Sequence, residues 1–188
     1  MNIVAGIVVI VLVGSFAAIV LLNRKPMLDD VHYHADFKVF LNKEAYDFNQ
    51  SKYMSSENHT LNPFMHLHDN DGNIIHQHIS DGSLREFFSS LGMQFSKDSF
   101  VLDNGTAYCN NENAKLQMFV NGKNNDQFEK YVLNDLDRIL ITYGSEQNLI
   151  NEQMALVTDK ACIQSGKCPE RGVAGNESGC TTQGGCKA

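Results

Sequence analysis

Apolar and polar residues alternate along residues 31–41, which predicts a β-strand with one buried face. Side chains repeat every second residue in a strand, so His32, His34 and Asp36 share one side of it. The residues between them are apolar and face the opposite side. The strand therefore packs its apolar face on a core, and we expect its His-x-His-x-Asp row to be exposed.

A second alternating pattern flanks an Asp- and Asn-rich turn and predicts a β-hairpin that carries two more His-x-His pairs. The pairs are His66/His68 and His76/His78. A two-residue turn would put the pairs on opposite faces, because a slip of one residue reverses every side chain. A loop of three or five residues puts all four imidazoles on one face, with His68 opposite His76 and His66 opposite His78. We predict the odd-length loop, since glycine is common in such loops.

The hairpin is followed by a helix with a defined beginning. Ser83-Leu84-Arg85-Glu86 forms a capping box, core-facing apolar residues follow, and Gly92 ends the helix. Further strands are predicted over residues 99–102, 115–120 and 138–143, and a second helix over residues 147–157. These elements predict a small α+β domain with a mixed or antiparallel sheet. Residues 115–123 and 133–144 are similar to the closing half of ubiquitin-like β-grasp domains, a likeness of fold that carries no activity.

The first part of the chain predicts a membrane anchor. Residues 3–22 are uncharged and mostly apolar, and about 20 helical residues span a hydrocarbon core of ~30 Å. A cleaved signal peptide is the alternative, but it usually has a basic start, a shorter apolar region and a small-x-small cleavage site. We therefore predict three parts: an anchor over residues 1–26, a domain over residues 27–160, and a Cys- and Gly-rich tail over residues 161–188.

Two signals disagree about the side of the membrane on which the domain lies. Arg24 and Lys25 follow the apolar run, and basic flanks alone favour the cytoplasm. Four of the five cysteines, however, crowd into a tail too poor in apolar residues to form its own core. Such segments are normally held by disulfides, which persist outside the cytoplasm. We predict an extracytoplasmic domain on a single-pass anchor.

The cysteines are predicted to form structural disulfides. The candidates are Cys109, Cys162, Cys168, Cys180 and Cys186. Four tail cysteines allow three pairings, and Cys109 pairing with Cys162 would instead tie the tail to the domain. Zinc binding by the four tail cysteines is a lesser alternative, because their spacings are longer than those of zinc knuckles. A redox enzyme usually carries Cys-x-x-Cys, which this chain lacks.

The three His-x-His pairs are the strongest chemical signal in the chain. Imidazole nitrogen is the commonest ligand for zinc, copper and nickel, and a divalent ion relieves repulsion among closely opposed imidazoles by binding their neutral forms. We predict a site for zinc or copper formed by the hairpin histidines. His32 and His34 complete it if their strand lies beside the hairpin, with Asp36 as an oxygen ligand or a hydrogen-bonding partner. Six imidazoles exceed the needs of one tetrahedral zinc, which implies two metals or supporting roles for some of them.

Composition excludes several other functions. The formal net charge of -7 and the pI of about 5.4 offer no basic surface for nucleic acid. The chain has no nucleophile elbow, phosphate loop or dinucleotide motif. We therefore expect a membrane-anchored metal-binding protein for capture, delivery or sensing, rather than an enzyme. The alternatives are a metal-dependent enzyme, a thiol–disulfide oxidoreductase or isomerase, and a non-catalytic surface module.

Five segments carry a resemblance to known sequences. They are residues 32–37, 66–76, 84–88, 121–123 and 162–172. The resemblance that rests on them extends over nearly the whole chain. The chain resembles a group of single-pass, membrane-anchored proteins of small-genome prokaryotes that share this His and Cys pattern. Related sequences carry Glu at the position of His78, which is still a metal-ligand type. Members are often labelled protein-disulfide isomerase, but the resemblance supports the topology and the His and Cys pattern, not a reaction.

Overall fold

The computed structural model describes residues 30–56, 59, 61–144, 146–174, 180–181 and 185–186. The predicted anchor, residues 1–26, lies outside the described residues. Within the ranges given, no helix is both long enough and apolar enough to cross a membrane. The predicted α+β class is confirmed, since the described chain combines sheets with a few short helices.

In the described part of the chain there are twelve strands and three α-helices. The strands are β1 (Asp30–Leu41), β2 (Glu44–Ala45), β3 (Met65–His66), β4 (Ile74–Ile79), β5 (Gln94–Phe95), β6 (Ser99–Val101), β7 (Ala107–Cys109), β8 (Leu116–Val120), β9 (Lys123–Asn124), β10 (Arg138–Tyr143), β11 (Cys180–Thr181) and β12 (Gly185–Cys186). The helices are α1 (Leu84–Ser90), α2 (Gln147–Leu156) and α3 (Ala161–Gln164). Short 3₁₀ helices lie at Ser51–Tyr53 and Phe128–Lys130.

The main sheet is built around the long strand β1. Its order is β3-β4-β1-β10-β8-β9, and β2 also pairs with β1. Strand β1 runs antiparallel to β4 over its first half and parallel to β10 over its second half, from Asp36 opposite Arg138 to Leu41 opposite Tyr143. Smaller sheets are formed by β5-β6-β7 and by β11-β12. Strand β1 thus links the histidine hairpin to the rest of the sheet.

One face of the main sheet packs on the principal core. Every second residue of β1 from Ala35 to Leu41 is buried there, as the alternation predicts. Helix α1 covers this face with its apolar residues, and the predicted capping box is present, because the Ser83 N–H donates to the Glu86 carboxylate at 2.8 Å. The helix ends before Gly92, whose φ of 75° is a left-handed conformation that glycine adopts without strain.

The opposite face of the sheet is covered by the segment that follows β10. Ile150 of α2 and Val157, the residue that follows α2, pack onto Phe40, Phe119 and Leu140, and together they form a second, smaller apolar cluster. Arg138 closes the end of α2, because its guanidinium donates to the carbonyl oxygens of Val157 and Thr158 at 2.5 and 2.9 Å. The chain then passes through α3 over the first half of β1, where the histidines lie.

Candidate metal centre

Strand pairing brings the three His-x-His pairs together on one face of the sheet. His34 of β1 and His66 of β3 both lie opposite His76 in the central strand β4. Each of the other three histidines, His32, His68 and His78, lies two residues along the chain from one of these positions and so points the same way. The prediction that all four hairpin histidines share a face is therefore confirmed, and the neighbouring strand adds the remaining two.

The predicted hairpin register was wrong by two residues. His66, rather than His68, lies opposite His76. The connection is longer than expected because Asp69 and Asn70 adopt left-handed conformations and the Asp71 N–H donates to the His68 carbonyl at 3.1 Å. A shift of two residues keeps every side chain on its original face, so the shared histidine face survives the error.

The six imidazole rings form one continuous cluster. The shortest ring separation is 3.7 Å between the centroids of His68 and His76. The cluster continues through His34–His76 at 4.6 Å, His32–His34 at 4.6 Å, His32–His78 at 4.9 Å, His66–His78 at 5.2 Å and His66–His68 at 5.5 Å. We call this set the histidine cluster. Imidazoles this close together cannot all carry a proton without strong repulsion.

Five of the six histidines are buried. The exposed fractions are 0 % for His34 and His66, 2 % for His76, 3 % for His78 and 7 % for His68, whereas His32 is exposed. The expectation that the row on β1 is exposed was therefore wrong for His34 and for Asp36. The reason is that α3 and the residues around it lie over this part of the face, which the local alternation does not reveal.

Three members of the cluster could together hold one ion. Ligand atoms of His32, His34 and His76 all lie within 4.8 Å of one another. Zn–N bonds are about 2.0–2.1 Å long, so two nitrogens bound to one ion lie at most about 4.2 Å apart, and a bound of 4.8 Å requires at most a small movement of the rings. These three ligands come from two neighbouring strands, so the geometry is set by the β1–β4 pairing and not by a flexible loop.

The ring of His34 is oriented by a carboxylate acting through a hydroxyl. The Ser165 hydroxyl lies 2.5 Å from Oδ1 of Asp135 and 2.8 Å from Nδ1 of His34. Because the carboxylate can only accept, the hydroxyl proton goes to Asp135, and the Ser165 oxygen accepts from Nδ1–H of His34. In this tautomer the lone pair of His34 is on Nε2, from which it could coordinate a metal.

Asp135 is held in its ionised form at this position. Burial alone would raise the pKa of Asp135, but hydrogen bonds from Lys167, Ser165 and the His34 backbone N–H outweigh burial and hold the pKa below its usual range. The Lys167 ammonium lies 2.5 Å from the carboxylate, and this contact raises the pKa of Lys167. At neutral pH the Asp135 carboxylate therefore accepts hydrogen bonds from both the Ser165 hydroxyl and the backbone N–H of His34.

The ring of His76 is oriented in the same way through a second histidine. Oδ2 of Asp69 lies 2.9 Å from Nδ1 of His68, and Nε2 of His68 lies 3.0 Å from Nδ1 of His76. The carboxylate accepts from Nδ1–H of His68, so neutral His68 accepts at Nε2 from Nδ1–H of His76. Nε2 of His76 then carries a coordinating lone pair, as in carboxylate–histidine–metal arrangements.

The other predicted metal residues have definite positions. Nδ1 of His66 lies 3.0 Å from the Asn62 carbonyl, which can only accept, so His66 also presents its lone pair at Nε2. His78 contacts His32 and His66 within the cluster. His59, which lies in a loop, is exposed.

Asp36 faces the same way as His34, but its carboxylate is bonded to the chain that covers the face. It accepts the Thr158 hydroxyl at 2.5 Å and the N–H groups of Lys160 and Ala161 at 2.9 and 2.8 Å. The structure thus places Asp36 as the anchor of α3. Its link to the metal centre is indirect, because α3 leads directly to Ser165, which orients His34.

The cysteines differ in part from the prediction. Cys162 and Cys168 form a disulfide, as expected for the tail. Cys109 is an exposed free thiol, and the alternative pairing of Cys109 with Cys162 is wrong, because Cys162 closes onto Cys168 at a Cα separation of 5.4 Å. One free thiol is what an odd number of cysteines allows. The backbones of Cys180 and Cys186 lie opposite each other in β11–β12. Their side chains lie outside the described part of the structure, so the disulfides predicted for these two cysteines stay a prediction.

Sequence reasoning missed the residues that orient His34. Asp135 and Ser165 lie in segments singled out only for their resemblance to known sequences, and they contact His34 from 101 and 131 residues away along the chain. The only available signal was the polar Asn-Asp-Leu-Asp segment before β10. Comparison with protein-family models, curated proteins and solved structures found no match for this chain.

Proposed function

We propose that the protein binds a transition-metal ion, Zn²⁺ or Cu²⁺, through the histidine cluster, and that it captures, delivers or senses this ion outside the cytoplasm. The observation that carries the proposal is the triad of His32, His34 and His76, whose ligand atoms lie within 4.8 Å of one another. Carboxylates fix the tautomers of two of these ligands, and a surface of chance histidines has no reason to include such partners.

The all-nitrogen ligand set supports these two metals in particular. Imidazole suits zinc, copper and nickel, and the general order of affinity places copper above zinc, whereas availability favours zinc. Three ligands also leave one coordination position for water or for an exchanging ligand. His32 is the exposed member of the triad, so the candidate site can be reached from solvent on that side. An open, accessible position supports capture and delivery better than a closed structural role.

The test is metal content of the full-length protein. We expect near-stoichiometric zinc or copper after reconstitution, by elemental analysis of wild type. The double substitution His34→Ala and His76→Ala removes two buried ligands and should abolish it, whereas His59→Ala changes an exposed histidine outside the cluster and should not. Equal metal content in all three proteins would disprove the proposal, and thermal melts would check that the double variant is folded.

We also infer that the domain has a β-grasp-type fold and faces the outside of the cell. The strand order β4-β1-β10-β8-β9, with β1 parallel to β10 and α1 between β4 and β8, supports the first inference. The Cys162–Cys168 disulfide and the apolar residues 3–22 support the second. Protease treatment of intact cells that carry a C-terminally tagged chain should remove the tag if the domain is outside.

A thiol–disulfide enzyme is the second candidate, because one contact favours it. Nη1 of Arg171 lies 3.3 Å from the Cys162 sulfur, and a cation beside a sulfur stabilises a thiolate. This candidate predicts that, after reduction, Cys162 reacts with iodoacetamide at pH 6 faster than the free Cys109 does. Equal rates would remove it. Mass spectrometry of the alkylated peptides distinguishes the two sites.

A further inference from the structure

The disulfide closes a loop that contacts the metal centre from outside. Cys162 and Cys168 bound this loop, Ser165 lies in its middle, and Lys167 lies near its end. Ser165 accepts from the ring of His34 at 2.8 Å, and Lys167 contacts the same Asp135 carboxylate that receives the Ser165 hydroxyl. We call residues 162–168 the disulfide loop. Both of its contacts orient one metal ligand, His34.

Besides the disulfide, the loop is held by the helical turn at its beginning, where the Ser165 N–H donates to the Ala161 carbonyl at 2.9 Å, and by the contacts of Ser165 and Lys167 with Asp135. The Lys167 N–H donates to the Cys162 carbonyl at 2.8 Å, and the Gly166 N–H donates to the Ile163 carbonyl at 3.0 Å. Gly166 and Lys167 are exposed. Asp36 anchors the beginning of α3, so the part of the loop that depends on the disulfide is its second half, from Ser165 to Cys168. Opening the covalent link gives this half more conformations and allows Ser165 to leave His34.

We propose that the Cys162–Cys168 disulfide is a redox gate on the metal centre: its reduction releases Ser165 from His34 and weakens metal binding. This inference rests on the proposed function and adds its regulation. The oxidised protein is the tight-binding form, and the reduced protein is the releasing form. The chemical signal is an external dithiol, which acts at the disulfide and does not need to enter the histidine cluster.

The exchange balances as an ordinary two-electron reaction. Cys162 is half-buried and Cys168 is 7 % exposed, so an external thiolate reaches the Cys162 sulfur more easily. A new S–S bond forms to Cys162, the Cys162–Cys168 bond breaks, and Cys168 leaves as a thiolate that takes up a proton. The second thiol of the reductant then displaces Cys162 beside Arg171, so that the protein gains two electrons and the dithiol becomes a disulfide.

The first test opens the loop without adding a reductant that competes for metal. The full-length double variant Cys162→Ser/Cys168→Ser should bind Zn²⁺ about tenfold more weakly than wild type in competition with a chromophoric chelator, the scale expected when a partner of a ligand is lost. The matched control, Cys180→Ser/Cys186→Ser, should bind like wild type. Equal affinity in all three proteins would overturn the gate.

The second test asks whether the effect passes through Ser165. Ser165→Ala keeps the disulfide but removes the oxygen that accepts from His34, so it should weaken Zn²⁺ binding to a similar degree. Adding Ser165→Ala to the cysteine double variant should then weaken binding no further. Fully additive losses would show that the disulfide acts by another route and would overturn the proposed path.

A failure of the gate is distinguishable from a failure of metal binding. If the oxidised wild-type protein binds neither Zn²⁺ nor Cu²⁺, both the proposed function and the redox gate are disproved. If wild type binds metal and His34→Ala/His76→Ala does not, while the cysteine double variant retains full affinity, only the gate is disproved. Far-UV circular dichroism of each variant confirms that the compared proteins are folded.

Discussion

The second face of the main sheet has two halves that are covered in different ways. The apolar half consists of Phe40, Phe119 and Leu140. It is covered by Ile150 of α2 and by Val157, which follows α2. The histidine half consists of the histidine cluster beneath α3 and the disulfide loop. Strand β1 contributes to both, since Phe40 lies on the same side as Asp36 and His34. Within a few residues along β1, the same sheet face is thus covered by apolar packing in one half and by hydrogen-bonded polar groups in the other.

The two halves differ in what makes their burial favourable. Apolar surface gains about 25 cal/mol for each Å² removed from water, so the apolar half needs no other partner. A polar group loses free energy on burial unless it is hydrogen-bonded. Accordingly, His34, His66, His68 and His76 all have hydrogen bonds to carboxylates, carbonyls, hydroxyls or one another. The histidine half therefore gains most from a bound cation, whereas the apolar half gains nothing from it.

The largest expected effect comes from opening a cavity in the apolar half. Leu140 is fully buried, so Leu140→Ala should lower the free energy of unfolding by about 2–5 kcal/mol, measured by urea titration. Leu156→Ala on the exposed side of α2 is the matched control and should cost less than about 0.5 kcal/mol. If Leu140→Ala still binds metal with full stoichiometry, the two halves are separable. Loss of metal with the fold retained would contradict this.

Metal saturation should give the next largest effect, and it should act on the histidine half alone. A ligand that binds only the folded state adds about 2.7 kcal/mol at a free concentration of about 100 times Kd. Wild type and Leu140→Ala should gain this increment equally when Zn²⁺ is added in urea titrations. His34→Ala should gain none of it. An equal gain in His34→Ala would mean that Zn²⁺ binds elsewhere on the protein.

Removing the charge of Asp36 should disturb the boundary between the two halves. Asp36→Asn weakens the bonds from the Thr158 hydroxyl and from the N–H groups that begin α3, at a buried site. We expect a loss of roughly 1–3 kcal/mol in the free energy of unfolding, since bonds to a charged group are lost. Weaker Zn²⁺ binding should accompany this loss, because α3 leads to Ser165.

Asp159→Asn is the matched control for that change. Asp159 lies on the same connecting segment and pairs with Arg171, but its side chain is 62 % exposed. Pairs at the surface contribute little, so this variant should change stability and Zn²⁺ affinity only slightly. If Asp36→Asn behaves like Asp159→Asn, the anchoring role of Asp36 is wrong.

The parts of this molecule that local pattern could predict are those set by short-range geometry. Period-two alternation placed His34 and Asp36 on one face of β1, and the capping box located the beginning of α1 at Ser83. The shared face of the hairpin histidines survived a wrong register, because the error was an even number of residues. Each of these features depends on residues close together in the chain.

The features that could not be predicted depend on contacts between distant residues. No local sequence signal indicates that residues 158–165 fold over β1. The burial of His34 and the hydrogen bonds of Asp36 were therefore not predicted from the sequence. The pairing of Asp135 and Ser165 with His34 spans 101 and 131 residues. Such partners are ordinary polar residues until the fold brings them together, and they determine which ring nitrogen of His34 carries the lone pair.

The smallest expected effect is the pH dependence of stability that Tyr131 causes. Tyr131 belongs to the principal core, outside both halves of the second face. Burial, together with a hydrogen bond to Asp137 at 2.7 Å, raises the pKa of Tyr131 to about 12. The unfolded pKa is near 10, so neutral Tyr131 stabilises the fold fully below about pH 10. That contribution is lost as pH rises from about 10 toward 12. Tyr131→Phe has no phenol to ionise, so its urea midpoint should fall less over this range than that of wild type. An identical fall would show that the alkaline loss of stability comes from other groups.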